Sequence, residues 1–146
     1  MTAPRRWLWV IAIAGLLVAA AGLGAAGFGR GSAGQTVRTI EIDIRYSQFA
    51  QVSLRVPAGV PIRFVLVNLD PIDHEWIVGD EAVHVRHRTG TEPTHGARPT
   101  EQSIGAGERV ETVVTFAGPG TLTYICHLPG HEAYGMVGTL VVTGSS

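Results

Sequence analysis

The most informative run of the chain is Gly118-Pro-Gly-Thr-Leu-Thr-Tyr-Ile-Cys-His-Leu-Pro-Gly-His-Glu-Ala-Tyr-Gly-Met-Val-Gly-Thr-Leu-Val-Val142. Its two ends, Thr121–Cys126 and Val137–Thr143, read as strands. Between them stand Cys126, His131 and Met136, evenly spaced at five residues. On a helix that spacing would turn successive side chains about 140° apart, so the three would splay around the axis. Pro129, Gly130 and Gly135 also argue against a helix. A loop between two strands can instead aim all three side chains at one point. A fourth candidate, His74, ends the loop that begins at Asn68 and opens another strand.

Working outward, the chain keeps a period of two. Ile40, Ile42 and Ile44 alternate with charged residues, Val52, Leu54 and Val56 with Ser53 and Arg55, and Ile62, Phe64 and Leu66 continue the pattern. Val65 and Val67 make that last strand apolar on both faces. Further strands are expected at Glu75–Val78 and Arg109–Phe116, with turns at Pro57-Ala58-Gly59, Asp70-Pro71, Gly105-Ala106-Gly107 and Gly118-Pro119-Gly120. Short alternating strands with this punctuation predict an all-β, antiparallel β-sandwich over 36–146. Gly79 to Gly107 is polar and rich in Thr and Pro; it is expected to be a long loop with one short strand near Ala82–Val85.

Arg5-Arg6 precede 22 uncharged residues, Trp7 to Phe28. A basic flank before an apolar run is an export signal. The run is long enough to span a bilayer, which favours an uncleaved membrane anchor over a cleaved signal peptide; a helix over 1–28 is expected, then a Gly/Ser linker over 29–35. The positive-inside tendency keeps Arg5 and Arg6 cytoplasmic and the domain outside, in the periplasm or at the cell surface.

Composition removes several function classes. The net charge is −1, against an electrostatic nucleic-acid binder. Every basic residue is Arg, so no lysine Schiff base can form. The single Cys126 rules out an intramolecular disulfide and any two-cysteine metal cluster.

Thiolate, two imidazoles and a thioether are a soft donor set. It suits copper in a His₂Cys plane with a weak axial Met. Imidazole stabilises Cu(II) without excluding Cu(I), thiolate couples electronically to the metal, and thioether favours Cu(I). A lone thiol outside the cytoplasm is exposed to oxidation, and binding a metal is a reason to keep it. Taken singly, Cys126 could be an inert buried thiol and Met136 a core residue; the shared loop argues otherwise.

These residues resemble the cupredoxin family, the small blue copper proteins related to plastocyanin, azurin and rusticyanin. The resemblance spans about Thr36 to Thr143 and is strongest over Gly118–Val142. The gaps from Cys126 to His131 and from His131 to Met136 look like those of rusticyanin-type members; plastocyanin has a shorter Cys-to-His gap. The resemblance implies a Greek-key β-sandwich, one type 1 copper ion held by His74, Cys126, His131 and Met136, and one-electron transfer. Many members place Asn or Ser after the first His ligand, whereas this chain has Glu75. Its backbone N–H is still able to support the sulfur. Its carboxylate would favour Cu(II), which leaves the reduction potential open.

By the same resemblance His131 is the electron exit, with Leu128, Pro129, Ala133 and Tyr134 as an apolar docking patch for a redox protein partner such as a cytochrome or respiratory complex. Such patches serve brief encounters, and the chain itself is expected to be a monomer. Tyr124 and Trp76 are expected in the core. His84, His87 and His95 are expected on a solvated loop, the alternative being a second, weaker copper or zinc site with Asp80 or Glu81. The His residues left over, His127 included, are too few for a multicopper oxidase cluster. Three functions stay open: an electron carrier, which is favoured; a copper delivery or storage module; and an enzyme related to copper nitrite reductases or oxidases, which would need a second copper.

Overall fold

The computed structural model describes residues 37–90 and 94–144. The expected leader and linker lie outside the described residues. The strands are β1 (Arg38–Arg45), β2 (Gln48–Phe49), β3 (Ser53–Pro57), β4 (Pro61–Asn68), β5 (His74–Gly79), β6 (Glu101–Ile104), β7 (Arg109–Thr115), β8 (Gly120–Ile125) and β9 (Val137–Thr143). One helix, α1 (Glu81–Thr89), lies between β5 and β6.

Two sheets form, in the orders β2-β1-β4-β7 and β3-β9-β8-β5-β6. The inward rows of the alternating strands meet in one core: Ile42, Ile44, Leu54, Val56, Ile62, Phe64, Leu66, Leu140 and Val142 are all buried. Trp76 and Tyr124 are wholly buried, as expected, and Phe64 packs against Trp76 with ring centroids 4.8 Å apart. Val65 is buried as well, consistent with a strand apolar on both faces.

The expected antiparallel sandwich is corrected to a pair of mixed sheets. β1 pairs with β4 in parallel, and β3 with β9 in parallel. The chain leaves the first sheet after β2, visits the second as β3, and returns as β4 beside β1. Such an excursion is what a parallel neighbour requires. Side-chain alternation is the same in both kinds of pair, so it carries no information on strand direction.

The long loop is corrected too. Residues 81–89, including the expected strand at Ala82–Val85, are helical. Asp80 caps the N-terminus by accepting the Val83 N–H at 3.1 Å. Glu81 lies in the first turn and Arg86, His87 and Arg88 in the last, each complementing the helix dipole. β6 then pairs with β5 in register His74↔Ile104, which buries the first residue of β5.

Candidate metal centre

The loop from Asn68 to Asp73 is built to present His74. Asn68 Nδ2 donates to Ile72 O at 2.7 Å and to Gly105 O at 2.8 Å, while Asn68 Oδ1 accepts the Asp70 N–H. Asp70 in turn accepts the backbone N–H groups of Tyr46 and Ser47, at 2.7 and 2.8 Å. Its Oδ2 lies 2.9 Å from His74 Nε2. Burial alone would raise the Asp70 carboxyl, but the bonds from Ser47, Tyr46 and His74 outweigh it and hold the group below its usual range. An ionised carboxylate only accepts, so His74 carries its proton on Nε2 and leaves Nδ1 as a bare lone pair.

The second loop joins β8 to β9. It closes on itself through His131 N–H to Leu128 O at 3.0 Å, Met136 N–H to His131 O at 3.0 Å, and Cys126 N–H to Met136 O at 3.2 Å. Gly130 and Gly135 have φ of +87° and +89°, the left-handed region that glycine enters without steric cost. These bends return the chain so that His131 faces Cys126.

The donor atoms converge. His131 Nδ1 lies 3.2 Å from Cys126 Sγ and 3.3 Å from His74 Nδ1, and one ligand atom from each of His74, Cys126 and His131 falls within 4.8 Å of the others. Cys126, His74 and Met136 are fully buried. Burial is the main cause that lowers the His131 pKa, which favours its neutral ring. Burial pushes the Cys126 thiol up to about 11, against the opposing N–H groups of Leu128 and Glu75. The Glu75 N–H reaches the sulfur at 3.3 Å, the support that the backbone at this position was expected to give. One proton can bridge only one of the close pairs among two imidazole lone pairs and a thiol. A single soft cation meets all three, and the donor set therefore fits copper.

Around this centre the expected patch divides by exposure. Pro129, Ala133 and Tyr134 are exposed, and Leu128 and His131 are half-buried. Tyr134 is 79% exposed.

The other histidines are not a solvated group, and that expectation is corrected. The side chains of His87, His95 and His127 are 4%, 5% and 3% exposed, and His84 is buried. His84 does not join His87 and His95. It bonds His127 Nε2 through Nδ1 at 3.0 Å and Thr123 Oγ1 through Nε2 at 2.7 Å. Asp80 caps the helix and Glu81 pairs with Arg88. The acidic residue beside His87 and His95 is Glu101.

Residues 37–143 match the family of copper binding proteins described as plastocyanin/azurin. The chain belongs to that family. It is 32% identical over 113 residues to the copper-resistant cuproprotein CopI of Rubrivivax gelatinosus, covering 75% of this chain and 67% of that one. To auracyanin-B of Chloroflexus aurantiacus it is 34% identical over 110 residues, covering 65% of this chain and 47% of the relative, about half its length. The auracyanin B structure superposes with a TM-score of 0.61 at 30% identity, covering 73% of this chain and 88% of that one. Auracyanin A, a blue copper protein of the same bacterium, gives a TM-score of 0.58 at 29% identity, covering 72% and 98%. Copper is thus the metal of the family to which the donor set belongs.

Proposed function

We propose that the chain is an extracytoplasmic electron carrier whose type 1 copper ion is held by His74, Cys126, His131 and Met136. The observation that carries this is the convergence of His74 Nδ1, His131 Nδ1 and Cys126 Sγ within 4.8 Å on a buried, internally hydrogen-bonded frame. Copper supplies the Cu(I)/Cu(II) couple. Asp70 fixes the His74 tautomer and ring plane, and the Glu75 N–H steadies the sulfur. Burial excludes water from His74, Cys126 and Met136. Ligands locked in this way rearrange little between oxidation states. His131, half-buried in the loop that also carries exposed Pro129, Ala133 and Tyr134, is the edge through which an electron leaves to a docked redox protein. The apolar leader with its Arg5-Arg6 flank supports a location outside the cytoplasm, anchored to the membrane.

A second reading is copper handling in metal resistance. It is favoured by the similarity to the copper-resistant cuproproteins CopI of Rubrivivax gelatinosus and of Pseudomonas aeruginosa, the latter at 29% identity. The two readings separate when the copper-loaded protein is cycled between ascorbate and ferricyanide beside a Cu(I) chelator. A carrier keeps its copper through many cycles; a delivery protein surrenders Cu(I) to the chelator.

A further inference from the structure

The strongest feature outside the copper centre is the buried histidine group between α1 and the neighbouring loops. His87 Nδ1 lies 2.8 Å from Val83 O. A carbonyl only accepts, so this nitrogen carries a proton, and in the neutral ring Nε2 is the lone pair. That Nε2 is buried and makes no hydrogen bond; Glu101 Oε2 stands 3.5 Å away, a second acceptor facing the first. His95 is on the other side, its ring centroid 4.9 Å from that of His87. Ligand atoms of His87, His95 and Glu101 all fall within 4.8 Å of one another. Glu101 Oε2 already accepts from Arg98 Nη1 at 2.9 Å, so the acceptor left unmatched in this buried place is His87 Nε2, and it calls for a proton or a cation beside the carboxylate.

We propose that His87, His95 and Glu101 form a second metal site, distinct from the type 1 centre, for a divalent cation that prefers nitrogen and oxygen donors. Two imidazoles and a carboxylate suit Cu(II) or Zn(II), and the absence of thiolate and thioether removes the preference for Cu(I). Among divalent first-row ions such a set binds Cu(II) most tightly.

The surroundings support entry and neutralisation. His87, His95 and His127 line one cavity of about 510 Å³ that also meets Glu75 and Arg98. Burial alone would raise the Glu101 carboxyl, but contacts from Arg98 and Arg86 outweigh it and keep the group ionised. Both guanidiniums sit on side chains at least half exposed, free to swing outward when a cation arrives. His95 Nε2 also lies 3.4 Å from Glu75 Oε1, which brings a second carboxylate to the edge of the group. His127, the residue after Cys126, stacks on His87 with ring planes 17° apart and so packs between the two centres.

The test titrates the purified full chain with Cu(II), following the visible thiolate band and the paramagnetic resonance spectrum together. The expected result is two ions per chain: one giving the thiolate band, the other a signal with nitrogen couplings and no visible band. In the His87→Ala, His95→Ala double variant the second ion is lost and the thiolate band stays, which also shows that the fold survives. Glu101→Gln, a milder change, weakens the second ion by at least about tenfold and is the variant to read if the double variant fails to fold. A wild-type chain that takes up one ion only, or a second ion bound equally well by these variants, overturns the proposal. Loss of the thiolate band with the second ion retained would instead count against the type 1 assignment alone.

Discussion

His74 Nε2 and Asp70 Oδ2 lie 2.9 Å apart, and the same carboxylate receives the backbone N–H groups of Tyr46 and Ser47. Those two residues have φ of 57° and 52°, unusual for non-glycine residues, and their amides are held in place by Asp70. One carboxylate thus joins the β1–β2 turn to the orientation of a metal-facing imidazole. Removing it in Asp70→Ala frees the His74 ring and lowers Cu(II) affinity by roughly 10–100-fold. Competition titration against a chelator of known affinity measures the loss. Unchanged affinity would mean that Asp70 serves the turn alone.

The metal-free thiol is expected to be unreactive. Burial raises Cys126 to about 11, which leaves about a hundredfold less thiolate at neutral pH than an ordinary cysteine whose pKa is two units lower. Alkylation of the metal-free protein near neutral pH should therefore run far more slowly than that of free cysteine, and copper binding should release the thiol proton to the medium. A fast reaction would show an open, solvated sulfur.

Arg88 of α1 grips Glu132, the residue after His131, with Nη2 at 2.7 Å and Nε at 3.1 Å from Oε1. The hydrogen bond from Arg88 is the main cause that lowers the Glu132 pKa beneath its ordinary 4.5. A depressed carboxyl adds stability that is fully present above the unfolded value and disappears as pH falls through the folded one. Thermal melts of the wild type and Glu132→Gln should differ at neutral pH and converge in acid below that folded value. Both side chains are about one-third exposed, so the gap should shrink in high salt. A gap that does not change with pH would point to packing rather than charge.

Gly138 lies against the Tyr124 ring: a Cβ there would come within 2.0 Å of Cζ. The ring has little room to retreat, because it is fully buried and its hydroxyl donates to Gln51 O. Gly138→Ala should destabilise the domain by about 1–3 kcal/mol, the usual cost of overpacking. Denaturant unfolding of the metal-free protein checks this, and the copper spectrum should persist wherever the variant is folded.

Much of this architecture was legible in the sequence. Period-two alternation located β1, β3, β7 and β9, each of which buries one face more than the other, while β4, β5 and β8 were read from short apolar runs between turn signals. β2 has two residues, too few for a pattern. β6 reads Glu-Gln-Ser-Ile and is buried with its polar groups satisfied: Arg86 and Arg98 meet Glu101, and Arg98 O accepts from Gln102. The side chains that α1 turns inward are those of His84 and His87, and it has no apolar stripe, so hydrophobic spacing hid it. Its capping Asp80 and its acidic-to-basic ordering were visible signals. At the metal centre, residue type and spacing singled out His74, Cys126 and His131, whose ligand atoms converge, together with Met136, which is buried in the same loop. Asp70, four residues before His74, went unread because a carboxylate in a turn usually caps backbone amides, and here it does so while also binding the imidazole. Glu101 lies fourteen residues beyond His87, and only the return of β6 beside β5 brings it to His87 and His95.

The central claim is that two imidazoles and one thiolate take a single copper ion at the base of the β8–β9 loop. One equivalent of Cu(II) added to the purified protein tests it directly through the visible spectrum. An intense blue or green thiolate-to-copper band, abolished in Cys126→Ser, is the predicted result; a pale spectrum that is the same in both proteins would contradict it.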